Sequence, residues 1–367
     1  MPASNDPSLS AVLPYAQDMS SKQRRPGSDQ GELALLRLIR ERANLTRTKS
    51  LRLGIGDDCA LLNLRPGEEL AITTDLSIAG RHFRLDWHQP ESIGHRALAR
   101  GLSDLAAMGA RPISAFLSLG LPGALITSTN GRTPWVQRFL DGLLALGVAN
   151  NTPLAGGDLC ESPLAIADIV LTGAVPRGKA LLRSGARAGH LVYVTGSLGG
   201  AAAGLARLAE LAKPSRAQAG GQTPPRIPKT LAAQLAPHLY PQPRVAQGLL
   251  LQRRSVATAA IDISDGLSTD LTHICKESNV AAEVDSEQLP IHPDATLDMA
   301  LHGGEDYELL FTTSAKADVP RQIRGIPVTC IGRIVKARAG NAAVTLVTPQ
   351  GRQPLEPQGW QHFSWTD

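Results

Sequence analysis

The sequence predicts a two-domain α/β (α+β) fold on the strength of three observations. The chain has 367 residues, more than a single core usually holds, so two domains of roughly 100–200 residues are expected. Hydrophobic residues make up 43% and charged residues 19%, which supplies enough apolar surface for both cores. Predicted strands and helices alternate throughout, as they do in layered α/β and α+β domains.

The N-terminal half shows this alternation first. Residues 31–43 have helical periodicity, and residues 90–112 are predicted to form a helix that begins at Pro90. Residues 69–76 (ELAITTDL) are rich in β-branched residues and predict a buried strand that runs into a loop at its polar end. The remaining elements are a strand at 113–122, a helix at 134–151, a short strand-to-loop element at 154–159 and a strand at 164–175.

The pattern breaks near residue 180, and a second α/β half follows. Its predicted strands lie at 191–196, 257–264, 307–314 and 328–335, and its predicted helices at 199–212 and 265–278. Residues 213–230 are rich in Pro, Gly and basic residues and predict a mobile loop. We therefore predict a disordered tail over residues 1–30, an N-terminal domain over 31–180 and a C-terminal domain over 181–367.

Composition argues against several classes of partner. Only 4% of residues are aromatic, and the basic runs at 21–27 and 213–230 contain no interleaved aromatic residues, so a nucleic-acid arm is the less favoured interpretation. No apolar run approaches the ~20 residues that span a bilayer, and no signal-peptide core is visible. Four widely spaced cysteines fit reduced thiols. We expect a cytoplasmic protein without nucleic-acid or membrane partners.

Acidic residues collect at the predicted strand ends and in glycine-rich turns. They are Asp57 and Asp58 in GIGDD, Asp75 after Thr73 and Thr74, Asp104 within a helix, Asp158 in GGD, Asp262 and Asp265 in DISDG, and Glu305 and Asp306 in GGED. Taken singly, most of them fit turns, Asp265 fits an N-cap, and Asp104 fits an exposed charge on a helix. Gathered together, they would repel by ~4 kcal/mol per close pair at an effective dielectric near 20. Such a group must protonate, pair with cations or bind metal.

The chemical type of these residues indicates the cation. Carboxylates and threonine hydroxyls without a His/Cys cluster suit Mg²⁺ rather than zinc. Mg²⁺ commonly shares its coordination between a few carboxylates and substrate phosphates, and the adjacent glycines allow backbone amides to approach phosphate closely. The residues therefore indicate an enzyme that uses several Mg²⁺ ions and a nucleotide.

Two phosphate-loop patterns are incomplete. Residues 173–180 (GAVPRGKA) nearly match a P-loop, but Ala180 stands where a Mg²⁺-binding hydroxyl is required. Residues 195–204 (TGSLGGAAAG) lack the spacing of a dinucleotide loop. We interpret the first as an interdomain loop and the second as a site of close helix–strand packing.

Eight short motifs occur in a fixed order: GIGDDCALL, ITTDLSIAGRHF, LSDLAAMGARP, GGDL, LLRSGARAG, VYVTG, DISDGL and GGEDYELLFT. From about residue 31 to the end, this set resembles thiamine-monophosphate kinase, a family of the aminoimidazole-ribonucleotide synthetase superfamily. The resemblance implies an N-terminal α/β domain that dimerises through its sheet, a C-terminal α/β domain, and ATP in the cleft between them. It implies phosphoryl transfer from ATP to thiamine monophosphate, which gives thiamine diphosphate and ADP.

The resemblance also implies roles for single residues. Metal ligation falls on Asp58, Thr73, Thr74, Asp75, Asp104, Asp158, Asp262 and Asp265, with Asp75, Asp158 and Asp265 as catalytic candidates. ATP contacts fall on Gly157, Asp158, Arg183 and Ser264, and substrate contacts on His82, Glu305 and Trp360. Without the family, His82 would read as a loop residue and Trp360 as a core anchor. Asp141 stands where some members carry a nucleotide-contacting tyrosine, which leaves Trp135 or Phe139 as candidate adenine contacts.

Two alternative functions remain open on the sequence. The chain could be another ATP-dependent member of the superfamily, such as aminoimidazole-ribonucleotide synthetase. It could also be a non-catalytic nucleotide-binding regulator, although the complete set of carboxylates disfavours that reading.

Overall fold

The computed structural model describes residues 32–43, 46, 48–128, 133–218, 224–338, 340 and 342–359. The described residues from Ile39 onward belong to one compact unit. The predicted tail over residues 1–30 lies outside the described residues, as does Trp360.

Helices and strands alternate along the described chain, which confirms the predicted α/β (α+β) class. The helices are α1 (Glu32–Ala43), α2 (Pro90–Ala107), α3 (Trp135–Ala149), α4 (Gly200–Gln218), α5 (Ala232–Leu239), α6 (Val245–Arg254), α7 (Leu267–Ser278) and α8 (Leu297–His302). The strands are β1 (Leu51–Leu53), β2 (Leu61–Leu62), β3 (Glu68–Ile78), β4 (Arg111–Leu121), β5 (Leu154–Glu161), β6 (Ile166–Pro176), β7 (Leu191–Thr195), β8 (Ala259–Asp262), β9 (Ala281–Asp285), β10 (Leu309–Thr313), β11 (Gln322–Ile323), β12 (Ile326–Val335), β13 (Val344–Thr348) and β14 (Gly351–Pro354).

The N-terminal half is built on a four-stranded sheet in the order β3-β6-β4-β5. β4 and β5 run parallel, while β3 and β6 pair antiparallel along their whole length, from Glu68 opposite Pro176 to Ile78 opposite Ile166. The prediction of a strand over 69–76 that runs into a loop is confirmed, although β3 continues to Ile78 before the loop begins.

The outer face of β3 is exposed, so the prediction of a buried strand is wrong for that face. Leu70, Ile72 and Leu76 are 44, 61 and 46% exposed, and they alternate with inward-facing residues because successive side chains point to opposite faces. β3 is the edge strand of its sheet, and these three side chains form an apolar stripe along it.

Helix α2 is the centre of the molecule. It packs against α3, β3 and β6 of its own half and against α6 and β8 of the second half. Two glycines permit the approach of α3: a Cβ at Gly94 would lie 1.9 Å from Phe139 O, and one at Gly142 would lie 1.8 Å from Glu91 O. Fifteen of its 18 residues are buried, so α2 is enclosed on nearly all sides.

The C-terminal half is built on an eight-stranded sheet in the order β14-β13-β9-β12-β7-β10-β8, with β11 paired to β12. β13 and β9 are parallel, and the other pairs are antiparallel. Leu267, Leu271 and Ile274 of α7 are fully buried in the core formed with this sheet. β8 and β10 carry the DISDG and GGED segments at their ends, so the sheet brings these two motifs side by side.

The predictions for the segments 173–180 and 213–230, for the cysteines and for membrane-spanning helices can be compared with the structure. β6 ends at Pro176, and no helix follows in the described chain before Gly200, so residues 173–180 do not form a P-loop. The predicted loop over residues 213–230 is wrong at both of its ends, because α4 extends to Gln218 and a short 3-10 helix occupies Lys229–Leu231. Residues 219–223 lie outside the described part of the chain. All four cysteines are free thiols. None of the described helices is long and apolar enough to cross a bilayer.

Candidate active site

A cleft of about 630 Å³ lies where the two halves meet. Its walls come from α2, the end of β3 with the loop that follows, the DISDG loop after β8 and the GGED loop before β10. Seven of the predicted site residues line it: Asp75, His82, Asp104, Asp262, Ser264, Asp265 and Glu305. The fold therefore collects residues that are far apart in sequence into one concave site.

A polar stripe on α2 forms the floor of this cleft. Arg96, Arg100, Ser103 and Asp104 follow one another at i, i+4, i+7 and i+8, which places them on one face of the helix. Most other described residues of α2 are apolar or small, so this stripe concentrates three charged side chains and one serine on a largely buried helix. A charge enclosed in this way requires a partner.

Each member of the stripe has a partner on another element. Arg96 Nη2 donates to both carboxylate oxygens of Glu305 at 2.6 Å, Arg100 Nε lies 3.6 Å from Asp75 Oδ1, Ser103 Oγ donates to Asp262 Oδ2 at 2.7 Å, and Asp104 accepts from Thr73 Oγ1. Two of these partners belong to β3 and two to the C-terminal half. The stripe therefore joins both halves at the cleft.

The carboxylates beside this stripe carry more negative charge than their cationic neighbours offset. Burial and Asp104 raise the pKa of Asp75 to about 6. Burial, Asp104 and Asp75 raise the pKa of Asp262 to about 7. Burial also raises the pKa of Asp104, although the Thr73 hydroxyl opposes that shift. We conclude that these three carboxyl groups are short of positive charge.

The donor set fits Mg²⁺. Asp75 Oδ2 is buried and accepts no hydrogen bond from any described residue, so one oxygen is free to bind a cation. In the described chain, no three His, Cys, Asp or Glu side chains converge closely enough to hold a metal by themselves. Mg²⁺ typically takes one or two protein carboxylates and completes its shell with water and substrate phosphates, so an open set of this kind suits it.

The DISDG loop is shaped by a residue that sequence reasoning missed. Asp270 Oδ2 accepts three backbone amides, from Ser264, Asp265 and Gly266, each at 3.1 Å. Burial, followed by Asp262 and Asp265, raises the pKa of Asp270 to about 8. The N-cap of α7 is Gly266, with φ 110° and no side-chain cap, so the alternative reading of Asp265 as an N-cap is wrong.

The GGED loop is fastened to the DISDG loop through its backbone. Glu305 N donates to Ser264 O at 2.8 Å, and Tyr307 N donates to Ile263 O at 2.9 Å. Glu305 and Tyr307 have φ of 67° and 50°, a region that side chains other than glycine enter only under constraint. These two loops therefore form one rigid wall of the cleft.

Asp306 points away from this wall. Its carboxylate accepts the amides of Gly199 and Ala201 at the start of α4, and burial raises its pKa to about 7. The glycine-rich segment at 195–204 therefore ends in a helix whose first amides are already occupied. This supports the interpretation that the segment serves packing rather than phosphate binding.

His82 lies in the loop after β3 and lines the cleft. Its Nδ1 accepts the amide of Ile78 at 3.0 Å, so the neutral ring carries its proton on Nε2. This contact fixes the ring orientation and makes the other nitrogen a donor.

Several predicted residues lie outside the cleft. Asp58 and Asp158 are exposed: the amide of Asp58 donates to Asp57 Oδ1, and Asp158 Oδ1 accepts the amide of Leu159. Thr74 is exposed on the face of β3 opposite Thr73. Their metal roles stay predictions.

The predicted ATP contacts are divided between two locations. Ser264 lines the cleft, whereas Gly157 is exposed on β5 with φ 146°. A Cβ at Gly157 would lie 1.8 Å from Leu117 O, so only glycine fits there. Arg183 is exposed, yet it lies close enough to Asp104 to lower the pKa of that carboxyl.

The two candidates for an adenine contact, Trp135 and Phe139, lie on α3 with Asp141, which replaces the tyrosine of some family members. Phe139 is fully buried, which rules it out as a contact for any ligand. Asp141 forms a 2.6 Å ion pair with Arg42. Trp135 is half-buried and stacks on Phe139 with ring centroids 5.3 Å apart, so only its exposed part could contact adenine.

Sequence reasoning singled out Asp104 on α2 but missed the rest of the stripe. The spacing of Arg96, Arg100, Ser103 and Asp104 in an otherwise apolar helix was a signal that could have found them. Asp270 gave no such signal, because an acidic residue in the first turn of a helix is common.

Family models, sequence relatives and solved structures all relate this chain to the same group of proteins. The family model described as AIR synthase related protein, N-terminal domain, matches residues 56–178, and the corresponding C-terminal domain model matches 187–344. The chain is 38% identical over 346 residues to thiamine-monophosphate kinase of Escherichia coli (strain K12), covering 91% of this chain and 98% of that protein.

Solved structures agree with this assignment. The crystal structure of thiamine-monophosphate kinase from Stenotrophomonas maltophilia K279a is 37% identical with a TM-score of 0.69, covering 86% of this chain and 96% of that one. A structure described as AaThiL complexed with AMPPCP and TMP is 30% identical with a TM-score of 0.67, covering 94% of this chain and all of that one. Sequence, domain and fold thus agree, and the chain belongs to the thiamine-monophosphate kinase family of the AIR synthase related proteins.

Proposed function

We propose that this protein transfers the γ-phosphoryl group of ATP to thiamine monophosphate, forming thiamine diphosphate and ADP with the help of Mg²⁺. The observation that carries the proposal is the convergence of Asp75, Asp104 and Asp262 on a cleft that also contains Glu305. A relative at 30% identity is described as complexed with AMPPCP and TMP, which supports ATP and thiamine monophosphate as the two substrates.

The chemistry asks the protein mainly to hold two anions together. The nucleophile is a phosphate oxygen of the substrate, and a phosphate monoester is largely ionised at pH 7 because its second pKa is ≈ 6. No strong general base is therefore required. Mg²⁺, when bound, would neutralise charge on the transferring group. Asp75, Asp104, Asp262 and Asp265 would each supply ligands to the bound Mg²⁺ ions, one or two carboxylates to an ion, with water and substrate phosphates completing each shell. The Thr73 hydroxyl would keep Asp104 oriented.

We assign ATP to the acidic end of the cleft. Arg183 is exposed and close to Asp104, and its guanidinium would reach the phosphates as a bidentate donor. Ser264, Gly157 and Asp158 complete the proposed nucleotide contacts. Asp58, Thr74 and Asp158 would join the metal site through a change of conformation or through an adjoining chain, since their side chains are exposed.

We assign thiamine monophosphate to the end of the cleft that holds His82 and Glu305. His82 would donate from Nε2 to the substrate phosphate, and Glu305 would face the cationic thiazolium or the aminopyrimidine. Trp360 is assigned a stacking role by the family resemblance, and it lies outside the described residues.

We further propose that the protein forms a homodimer through the N-terminal sheet. The apolar stripe of Leu70, Ile72 and Leu76 on the exposed face of β3 supports this. The boundary between domains near residue 180 is also a proposal, and the family models that cover 56–178 and 187–344 support it. A cytoplasmic location stays a prediction.

The function is tested by the choice of phosphoryl acceptor. With Mg–ATP, thiamine monophosphate should yield ADP and thiamine diphosphate, whereas formylglycinamidine ribonucleotide, the substrate of the synthetase relative, should not stimulate ADP release. ADP is measured by a coupled assay and thiamine diphosphate by chromatography. Turnover with formylglycinamidine ribonucleotide alone would replace the proposal with the synthetase activity, and turnover with neither would favour a regulator.

Asp75→Asn should lower kcat by at least about 1000-fold, because it removes a charged ligand at the transferring phosphate. Its melting temperature should stay close to that of the unchanged protein, because the asparagine oxygen can still accept from Arg100 and because asparagine avoids the cost of ionising a buried carboxyl. Glu69→Gln, an exposed change on the same strand, is the control and should leave kcat unaltered. Near-normal turnover by Asp75→Asn would remove this residue from the metal site.

Stabilisation by Mg²⁺ should grow with pH. The folded-state pKa values of Asp75 and Asp262, about 6 and about 7, lie above the unfolded value near 3.8, so ionising them costs stability as pH rises from about 4 to 7. Mg²⁺ binds the ionised groups and offsets that cost, by about 2.7 kcal/mol when free Mg²⁺ is about 100 times its Kd. Thermal unfolding at pH 5.5 and pH 8 measures the effect, with NaCl of equal ionic strength as the control. An equal Mg²⁺-induced rise in Tm at both pH values would contradict it.

The homodimer is tested by charge on the apolar stripe. Ile72→Glu should weaken dimerisation by about 100-fold or more, because the interface would then bury an unpaired carboxylate from each protomer. Light scattering over a dilution series measures the molar mass. Val148→Glu, an equally exposed apolar position on α3, is the control. A monomeric unchanged protein at micromolar concentration would refute the dimer.

A further inference from the structure

A buried histidine pair borders the cleft beside Glu305. His88, just before α2, and His238 in α5 are each 2% exposed, and their Nε2 atoms lie 3.0 Å apart. His238 Nδ1 lies 3.6 Å from Glu305 Oε2 and has no hydrogen-bond partner among the described residues. Both rings line the cleft. None of the roles proposed above uses this pair.

The surrounding backbone orders the protons of the pair. His88 Nδ1 lies 3.1 Å from the amide of Arg84 and 3.2 Å from its carbonyl. That carbonyl already accepts the amides of Trp87 and His88, whereas the Arg84 amide can only donate, so Nδ1 acts as the acceptor. The neutral His88 then donates from Nε2 to His238 Nε2. His238 consequently carries its proton on Nδ1, which faces Glu305.

The opposite arrangement of protons is disfavoured. It would place the lone pair of His238 Nδ1 against the Glu305 carboxylate, with two acceptors facing each other in a buried site. It would also leave the Arg84 amide without the acceptor that His88 provides. The Arg84 amide at one end of this row of contacts and the Glu305 carboxylate at the other thus favour the same tautomers of His88 and His238.

The histidine pair is neutral, whereas Glu305 is charged. Burial, followed by Arg96, lowers the pKa of His88 to about 3, and burial, Arg96 and His88 lower the pKa of His238 well below its usual value. Burial alone would raise the pKa of Glu305, but Arg96 more than offsets this and the pKa is lowered. A neutral donor can therefore orient the carboxylate without adding a second positive charge beside it.

We propose that His238, ordered by His88, is a positioning residue that steers the Glu305 carboxylate toward the cationic part of thiamine monophosphate. This inference rests on the proposed function. Arg96 holds the carboxylate from the side of α2, and the backbone at φ 67° fixes where the side chain starts. His238 Nδ1 is the third group that faces this carboxylate. The 3.6 Å between His238 Nδ1 and Glu305 Oε2 is just beyond hydrogen-bond distance, and a movement of about half an ångström on substrate binding would complete the bond.

The test separates substrate affinity from turnover. His238→Phe keeps a ring of similar size but removes the donor, and it should raise KM for thiamine monophosphate about ten-fold. KM for ATP and kcat should change by less than about two-fold, because the acidic end of the cleft is untouched. His238→Asn places an amide N–H near the position of Nδ1–H and should restore most of the affinity.

A matched control excludes a general packing effect. His95 is another buried histidine, and its Nε2 lies 2.7 Å from Pro241 O, on the chain just after α5. His95→Phe should lower the melting temperature as His238→Phe does, but it should leave KM for thiamine monophosphate unchanged. An equal rise in KM for both variants would mean that His238 acts only through folding, and it would overturn the proposal.

A double-mutant cycle shows whether His238 acts through Glu305. In a Glu305→Gln background, His238→Phe should cause no further rise in KM, since the group that it positions has lost its charge. Additive effects would mean that His238 contacts the substrate itself, which overturns the positioning role. If the unchanged protein does not phosphorylate thiamine monophosphate, the proposed function fails. If it does, and His238→Phe behaves like it, only this inference fails.

Discussion

The structure depends on a row of polar side chains carried by a buried helix. Arg96, Arg100, Ser103 and Asp104 lie on one face of α2, and each requires a partner because the helix is enclosed. Those partners come from β3 and from the C-terminal half, so satisfying the row fixes both halves around one cleft. Removing a charged partner would leave a buried charge uncompensated. The row therefore favours the one arrangement of the two halves in which every member has its partner.

The opposite wall is organised by backbone contacts. Asp270 gathers three amides of the DISDG loop on one oxygen, and the GGED loop is hydrogen-bonded to the same segment. The positive φ of Glu305 persists because these contacts determine the backbone on both sides of it. Rigid loops of this kind hold Asp262, Asp265 and Glu305 in place before a ligand arrives, which reduces the cost of ordering them on binding.

The α/β class, the family and seven of the cleft-lining residues could be predicted from the sequence. Each of these features has a signal within the sequence: hydrophobic periodicity for the helices and strands, glycines beside acidic residues for the site, and the order of the motifs for the family. The length of β3 and its exposed face could not be predicted, because they depend on edge position in the sheet rather than on the residues of ELAITTDL. The histidine pair could not be predicted either, since His88 and His238 are 150 residues apart and meet only through packing.

Charge divides the cleft into two environments. At one end, Asp75, Asp104 and Asp262 lie close together, and their pKa values are raised by burial and, at Asp75 and Asp262, by the neighbouring carboxylates. At the other end, Arg96 compensates Glu305, and the adjacent histidines stay neutral. A divalent cation with a polyphosphate suits the first end, since it supplies the missing positive charge. An organic cation suits the second, where one carboxylate is held ionised and oriented. Because Arg100 of the same helix stands between the two ends, beside Asp75 and four residues from Arg96, one rigid element sets the spacing between the two substrates.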